Sequence, residues 1–262
     1  IENNKNGRYE DHGDGVQFFT VDGVGGGIES RTDAQILNNV IKGNQSGGGG
    51  GIKGGGTITG NTIINNAGGG YYGDGSSSLP FSNNIILNNS GSGAAVYVNG
   101  KKPITGNIIA GNNTERALYY LQTDSHGDAG SISSNIIFNN NGSLYLRAEA
   151  IRSDTYDNDG NSIEVYSTGL EVKNNTIVGN SGGLSLKGSV VFNNNNIYDN
   201  GGTYELENKN ALGTDDLNIE SNYWGTSDAS AIATKVYDWN EDSSLGFVDY
   251  TPHETALITS NP

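Results

Sequence analysis

Ile36-Leu37-Asn38-Asn39-Val40-Ile41-Lys42-Gly43-Asn44 holds the unit that organises this chain. Reduced to its recurring positions it reads Ile-x-x-Asn-x-Ile-x-x-Asn. It returns at Ile58, Asn61, Ile63 and Asn66, and again at Phe81, Asn84, Ile86 and Asn89. Further copies fall at Ile104, Asn107, Ile109, Asn112 and at Ile132, Asn135, Ile137, Asn140. Later ones are Val172, Asn175, Ile177, Asn180 and Phe192, Asn195, Ile197, Asn200. The last copy, Ile219, Asn222 and Trp224, runs out into Gly225.

The first Asn of successive copies recurs mostly at intervals of 20 to 28 residues, with one gap of 40 between Asn135 and Asn175. Ile151, Asp154, Tyr156 and Asp159 match the template inside that gap if Asp replaces both Asn residues. The expectation is therefore a degenerate coil there. A period of this size marks a stacked repeat. Within each copy, alternate residues of short strands point inward, so the Ile positions form aliphatic columns along an axis. Asn tolerates a left-handed backbone at a bend, and its amide can bond to the Asn one coil away.

A third strand is expected between copies, clearest at Ile52-Lys53, Ala95-Val96-Tyr97-Val98, Leu118-Tyr119-Tyr120 and Leu144-Tyr145-Leu146. Ile163-Glu164-Val165, Leu184-Ser185-Leu186 and Tyr204-Glu205-Leu206 continue the series. These observations define an all-β chain, a single-stranded right-handed parallel β-helix of about eight or nine coils with a C-terminal cap. Leucine-rich and calcium-binding nonapeptide repeats are excluded because their signatures are missing.

We read residues 1–262 as one β-helix domain: 1–30 an N-terminal edge coil and insertion, 31–226 regular coils, 227–262 the cap. Val16 to Phe19 is expected to be a strand within the insertion. Ile232, Val236 and Trp239 have helix-like spacing, and Gly246 to Pro252 is expected to add a last strand. The repeat-like start, Ile1-Glu2-Asn3-Asn4, without an initiator Met, suggests a mature or trimmed chain with a missing upstream portion.

Composition agrees with a solenoid: of 262 residues 41 are Gly, 4 Pro and none Cys or Met, and hydrophobics make up 33%. The formal net charge of −15 repels nucleic acid and anionic membranes. No apolar run is long enough for a membrane-spanning helix. Without cysteine there is no disulfide framework and no thiolate metal site. A solvated acidic surface fits a secreted or cell-surface setting.

The Ile/Asn template and the Asn222-Tyr223-Trp224-Gly225 ending resemble the right-handed parallel β-helix repeat proteins of the pectate-lyase-like superfamily. The likeness covers Ile36 to about Pro252. It implies the fold; for activity it implies only a set that includes lyases, epimerases, glycosidases and non-catalytic surface proteins.

Outward positions of the third strand carry Tyr72, Tyr97, Tyr119 and Tyr145 in a row, followed by Glu164, Ser185 and Glu205. Arg147, Lys187 and Glu207 occupy the next outward positions. Exposed aromatic rings stack on sugars, and Arg147 or Lys187 can meet a carboxylate. The plain alternative is cross-strand stacking of residues that suit strands. His126, flanked by Asp124 and Asp128 in the loop after Tyr119, is a candidate acid or base. In the alginate lyases and C5-epimerases of the resembled superfamily His and Tyr share such work near a charge-neutralising group. Tyr119, His126 and Arg147 look similar in kind, although only an Asp-x-His fragment of the epimerases' Tyr-Gly-x-Asp-Pro-His run is present. Asp154, Asp157 and Asp159 form an oxygen cluster of a type that suits Ca²⁺.

The functional expectation is an extracellular carbohydrate-active β-helix that binds a polysaccharide, with lyase or epimerase chemistry if it is an enzyme. The rival is a non-catalytic surface, adhesive or glycan-binding module. The expected state is a monomer or part of a larger multidomain surface protein.

Overall fold

The computed structural model describes residues 8–11, 17–20, 26–73, 78–123, 129–149, 151–156, 162–167, 169–213 and 217–262. The chain winds through three parallel sheets of 7, 7 and 9 strands. The first face runs from Gln35–Leu37 to Val190–Asn193, the second from Val40–Lys42 to Asn196–Tyr198. The third begins at Ile28–Ser30 and ends at Val236–Tyr237, beyond the last complete turn. Seven complete three-strand turns with a partial coil at each end account for these strand counts.

Within the three sheets each strand pairs parallel with the strand one coil on. Ile58 aligns with Phe81 and Ile104 on the first face, Ile63 with Ile86 and Ile109 on the second. Ile58, Phe81, Ile104, Ile63, Ile86 and Ile109 are fully buried, as are Val96, Leu118 and Leu184 on the third face. Burial of one such side chain stabilises by roughly 1.5–3 kcal/mol, so the aliphatic columns are the main cohesive term.

The bend between the first and second faces keeps the inward residues five positions apart in every copy, and two neighbouring residues share its work. Asn39, Asn61, Asn84, Asn107, Asn135, Asn175, Asn195 and Asn222 form one ladder. In it, each backbone N–H and side-chain amide donates to the next Asn Oδ1, at 2.8–3.3 Å. A second ladder runs from Asn44 through Asn66, Asn89, Asn112, Asn140 and Asn180 to Asn200. The left-handed backbone belongs to the residue before the ladder Asn: Asn38 (φ 56°), Gly60 (71°), Asn83 (53°), Gly106 (67°) and Ser134 (56°). The expectation that one Asn does both jobs is thereby corrected. At Gly106 a Cβ would lie 2.4 Å from the Asn83 Oδ1, so the side chain of one coil fills the space that the next leaves empty.

The expected degenerate coil does not exist. Asn135 bonds directly to Asn175 across the 40-residue gap. Strands Ser131–Ser133, Ile136–Phe138 and Ser143–Ala148 pair directly with Leu170–Lys173, Thr176–Val178 and Leu184–Gly188. The intervening strands Ile151–Tyr156 and Ser162–Ser167 pair with each other, antiparallel, as a hairpin outside the three sheets. Ile163-Glu164-Val165 therefore contributes nothing to the third face.

The third-face register also shifts one expected position. Glu207, not Glu205, aligns with Ser185, and Leu206 aligns with Leu184. Glu205 turns inward, 5% exposed, where its Oε2 accepts from the backbone N–H (3.2 Å) and side-chain amide (2.9 Å) of Asn200. Lys235 Nζ donates to its other oxygen at 3.3 Å. The Glu205 carboxylate thus ends the second Asn ladder.

At the N-terminus Arg8–Asp11 and Gln17–Thr20 form an antiparallel hairpin, in keeping with the strand expected there. At the other end the helix Ala229–Ala233 buries Ile232 against the stack, and Val236 is buried as it joins the third face. Val248–Asp249 pairs parallel with Leu217–Asn218, the strand expected within 246–252. Trp239 is an exception to the expected apolar stripe: it is 39% exposed and stacks on Phe247. Lys102 is buried across three coils, its ammonium donating to the carbonyls of Gly56 and Leu79. Burial lowers its pKa to about 8.

Candidate functional site: a tyrosine row beside a glycine-walled groove

The four tyrosines stand in register, Tyr72 beside Tyr97, Tyr97 beside Tyr119, and Tyr119 beside Tyr145, on successive third-face strands. Their inward neighbours Val96, Val98, Leu118 and Leu144 are buried, which leaves the rings on the outer surface. The rings contact one another along the row. Tyr72 and Tyr97 stack with centroids 4.4 Å apart and planes 11° from parallel. Tyr119 is turned edge-on to both neighbours, 5.3 Å from Tyr97 at 78° and 5.3 Å from Tyr145 at 82°. Such aromatic pairs add about 0.5–1.5 kcal/mol beyond their burial, so the row also stiffens the sheet.

The turned ring of Tyr119 faces a cation that strand alternation conceals. The Arg116 guanidinium lies 4.5 Å from the Tyr119 centroid and 6.0 Å from that of Tyr145. Counting back from Tyr119 by twos makes Ala117 outward and Arg116 inward, yet Ala117 is fully buried. The register slips between Arg116 and Leu118, and again between Gly91 and Ala94 on the neighbouring strand. These irregularities re-aim the chain so that Arg116 and Tyr119 emerge on the same side. Glu115 flanks the guanidinium loosely at 3.8 Å.

The same slips open a groove of about 380 Å³, within the size range of ligand sites. Tyr72, Tyr97, Tyr119 and Arg116 line it with a loop through Gln45, Ser46 and Gly47 to Gly49 and with the irregular strand segment Gly91 to Ala94. At Gly47, Gly48 and Gly93 a side chain would project into open space, so backbone forms the rim there. Gly49 is held at φ 67°, and a Cβ there would sit 2.9 Å from the Tyr72 Cβ. Only glycine brings the loop this close to the ring.

The remaining expected site residues divide. Arg147 and Lys187 lie in register on the third face. Arg147 is held by Glu149 at 2.9 Å, so the cation contacting Tyr119 is Arg116. Lys187 is exposed. Glu164 lies on the hairpin, opposite Asp154 in its register, and is removed from the tyrosine row because its strand pairs only with Ile151–Tyr156. His126, with Asp124 and Asp128, and also Asp157 and Asp159, lie outside the described residues. Among the described residues no cluster of three His, Asp or Glu is placed to hold a metal ion. Among them, too, no helix is long and apolar enough to cross a membrane.

Coils, ladders and register define a parallel β-helix repeat protein. Residues 2–129 match the family model of the right handed beta helix region, and the same coil continues to Asn208, so the chain is a right-handed parallel β-helix. No curated protein and no solved structure matches it.

Proposed function

We propose that this β-helix is a carbohydrate-binding module of a secreted or cell-surface protein, gripping a polysaccharide along the tyrosine row. The observation that carries this reading is the groove itself: three in-register phenols, Tyr72, Tyr97 and Tyr119, one guanidinium and a backbone rim converge on one outward face. Sugars present both C–H surfaces and hydroxyls, and this lining offers aromatic rings beside hydrogen-bond donors and acceptors. With a net charge of −15, long polyanions are repelled unless cations intervene, so neutral glycans are the favoured ligands.

Binding of neutral and acidic glycans, measured by calorimetry on the intact chain, tests this. Tyr97→Ala and Arg116→Ala should each weaken a bound glycan about tenfold, an amount on the order of 1.4 kcal/mol. Unchanged binding in both variants would refute the tyrosine groove as the site.

The catalytic alternative is a uronate lyase or epimerase, with Tyr119 and His126 exchanging protons and Arg116 in the charge-neutralising role expected of Arg147. What favours it is the guanidinium at 4.5 Å from Tyr119. Ultraviolet absorbance detects the unsaturated product of a lyase, and NMR of the treated polymer detects epimerisation. Parallel assays with EDTA test a Ca²⁺ contribution from Asp154, Asp157 and Asp159.

A further inference from the structure

The tyrosine pairs of this chain differ in geometry, and the difference has a chemical meaning. Tyr72 and Tyr97 lie ring over ring at 4.4 Å and 11°. Tyr97 with Tyr119, Tyr119 with Tyr145, and Tyr198 with Tyr223 meet at 78°, 82° and 64°. Tyr204 and Tyr237 are tilted by 49° at 4.9 Å. Both members of the stacked pair are partly exposed on the groove floor, where a small oxidant can reach them.

A phenoxyl radical carries its spin on oxygen and on the ring carbons ortho and para to it. In tyrosine the para carbon bears the side chain, so two tyrosyl radicals join through ortho carbons. Near-parallel rings bring like carbons face to face, whereas an edge-on ring offers its rim to the partner's face. The in-register strands hold the two backbones one coil apart, roughly 4.8 Å, a span that a biaryl link can bridge.

We infer that Tyr72 and Tyr97 form an oxidative cross-linking site, converted to dityrosine by a peroxidase-type oxidant that uses hydrogen peroxide. Each phenol gives up one electron and its hydroxyl proton. Hydrogen peroxide takes the two electrons and two protons and becomes two waters. The radicals couple through one new ortho–ortho C–C bond, and the two displaced ring protons move to the oxygens to restore both phenols. The chain loses two hydrogens in total, and two successive coils become covalently joined.

The test is treatment of the intact chain with peroxidase and limiting peroxide at high dilution, followed by intact mass and peptide mapping. The expected product is a monomer lighter by two hydrogens, with dityrosine fluorescence and one linked peptide pair containing Tyr72 and Tyr97. Tyr97→Phe should lose both signals while keeping the circular dichroism of the parent, and Tyr145→Phe should retain them. Linkage at Tyr204–Tyr237 with Tyr72 and Tyr97 unmodified, linkage only between molecules, or no dityrosine in the folded parent would each overturn the inference.

Discussion

The corner that joins the first face to the second and the corner that leaves the third face obey opposite rules. At the first, the inward residues stay five positions apart in every copy, from Ile36 and Ile41 to Ile219 and Trp224. At the second, the excursion ranges from the short connection between Gly54 and Thr57 to the hairpin carried between Ala148 and Leu170. The constant corner is buried and its polar groups must be paired with the coil above and below. The variable corner leaves the stack, so added residues disturb no ladder. Tolerance to insertion thus follows from where the hydrogen bonds run.

The largest effect is expected inside the constant corner. Asn107→Leu removes the acceptor for the Asn84 backbone and side chain, and the donors to the Phe81 carbonyl and Asn135 Oδ1. With about 1–3 kcal/mol for each buried group left unpaired, it should cost about 4 kcal/mol or prevent folding, read from urea unfolding. Ile109→Ala, which empties part of the adjacent column, should cost about 3 kcal/mol by the same measurement. Gly106→Val places a branched side chain at φ 67° against Asn83 and should cost about 1–3 kcal/mol. Asn83→Gly at the matching bend should fall well below that, and equal costs would show that the bend does not depend on the left-handed backbone. The smallest effect is expected from the largest change. Replacing 151–167 with a short Gly-Ser link should alter stability by less than about 1 kcal/mol, because Asn135 already bonds to Asn175. A loss of several kcal/mol would make the hairpin part of the stack and erase the contrast.

Much of the fold was legible because the template records its own packing: each Ile is a core contact and each ladder Asn a polar relay. The misread copy at Ile151, Asp154 and Tyr156 has the right spacing and the wrong chemistry. A ladder residue must accept from one coil and donate to the next. An ionised Asp accepts only, so it would set a carboxylate against the next amide oxygen. The tyrosine row was legible by alternation. Arg116 was hidden because alternation is the rule that the register slip breaks, and a slip leaves no mark in residue types. Glu205 was misplaced for a related reason: its burial depends on the end of the ladder, which lies five residues away at Asn200.

The ladder that ends on Glu205 has a direction. From Asn66 to Asn200 every Oδ1 accepts from the coil on its N-terminal side, while from Asn44 to Asn180 the backbone N–H and one amide hydrogen point to the coil beyond. The side-chain dipoles therefore add head to tail along the axis, as peptide dipoles do in an α-helix. Their positive end is the C-terminal end of the column, and there the chain has placed a carboxylate. Glu205 stands to this column as an anionic cap stands to a helix N-terminus, giving the solenoid an electrical polarity independent of its net charge.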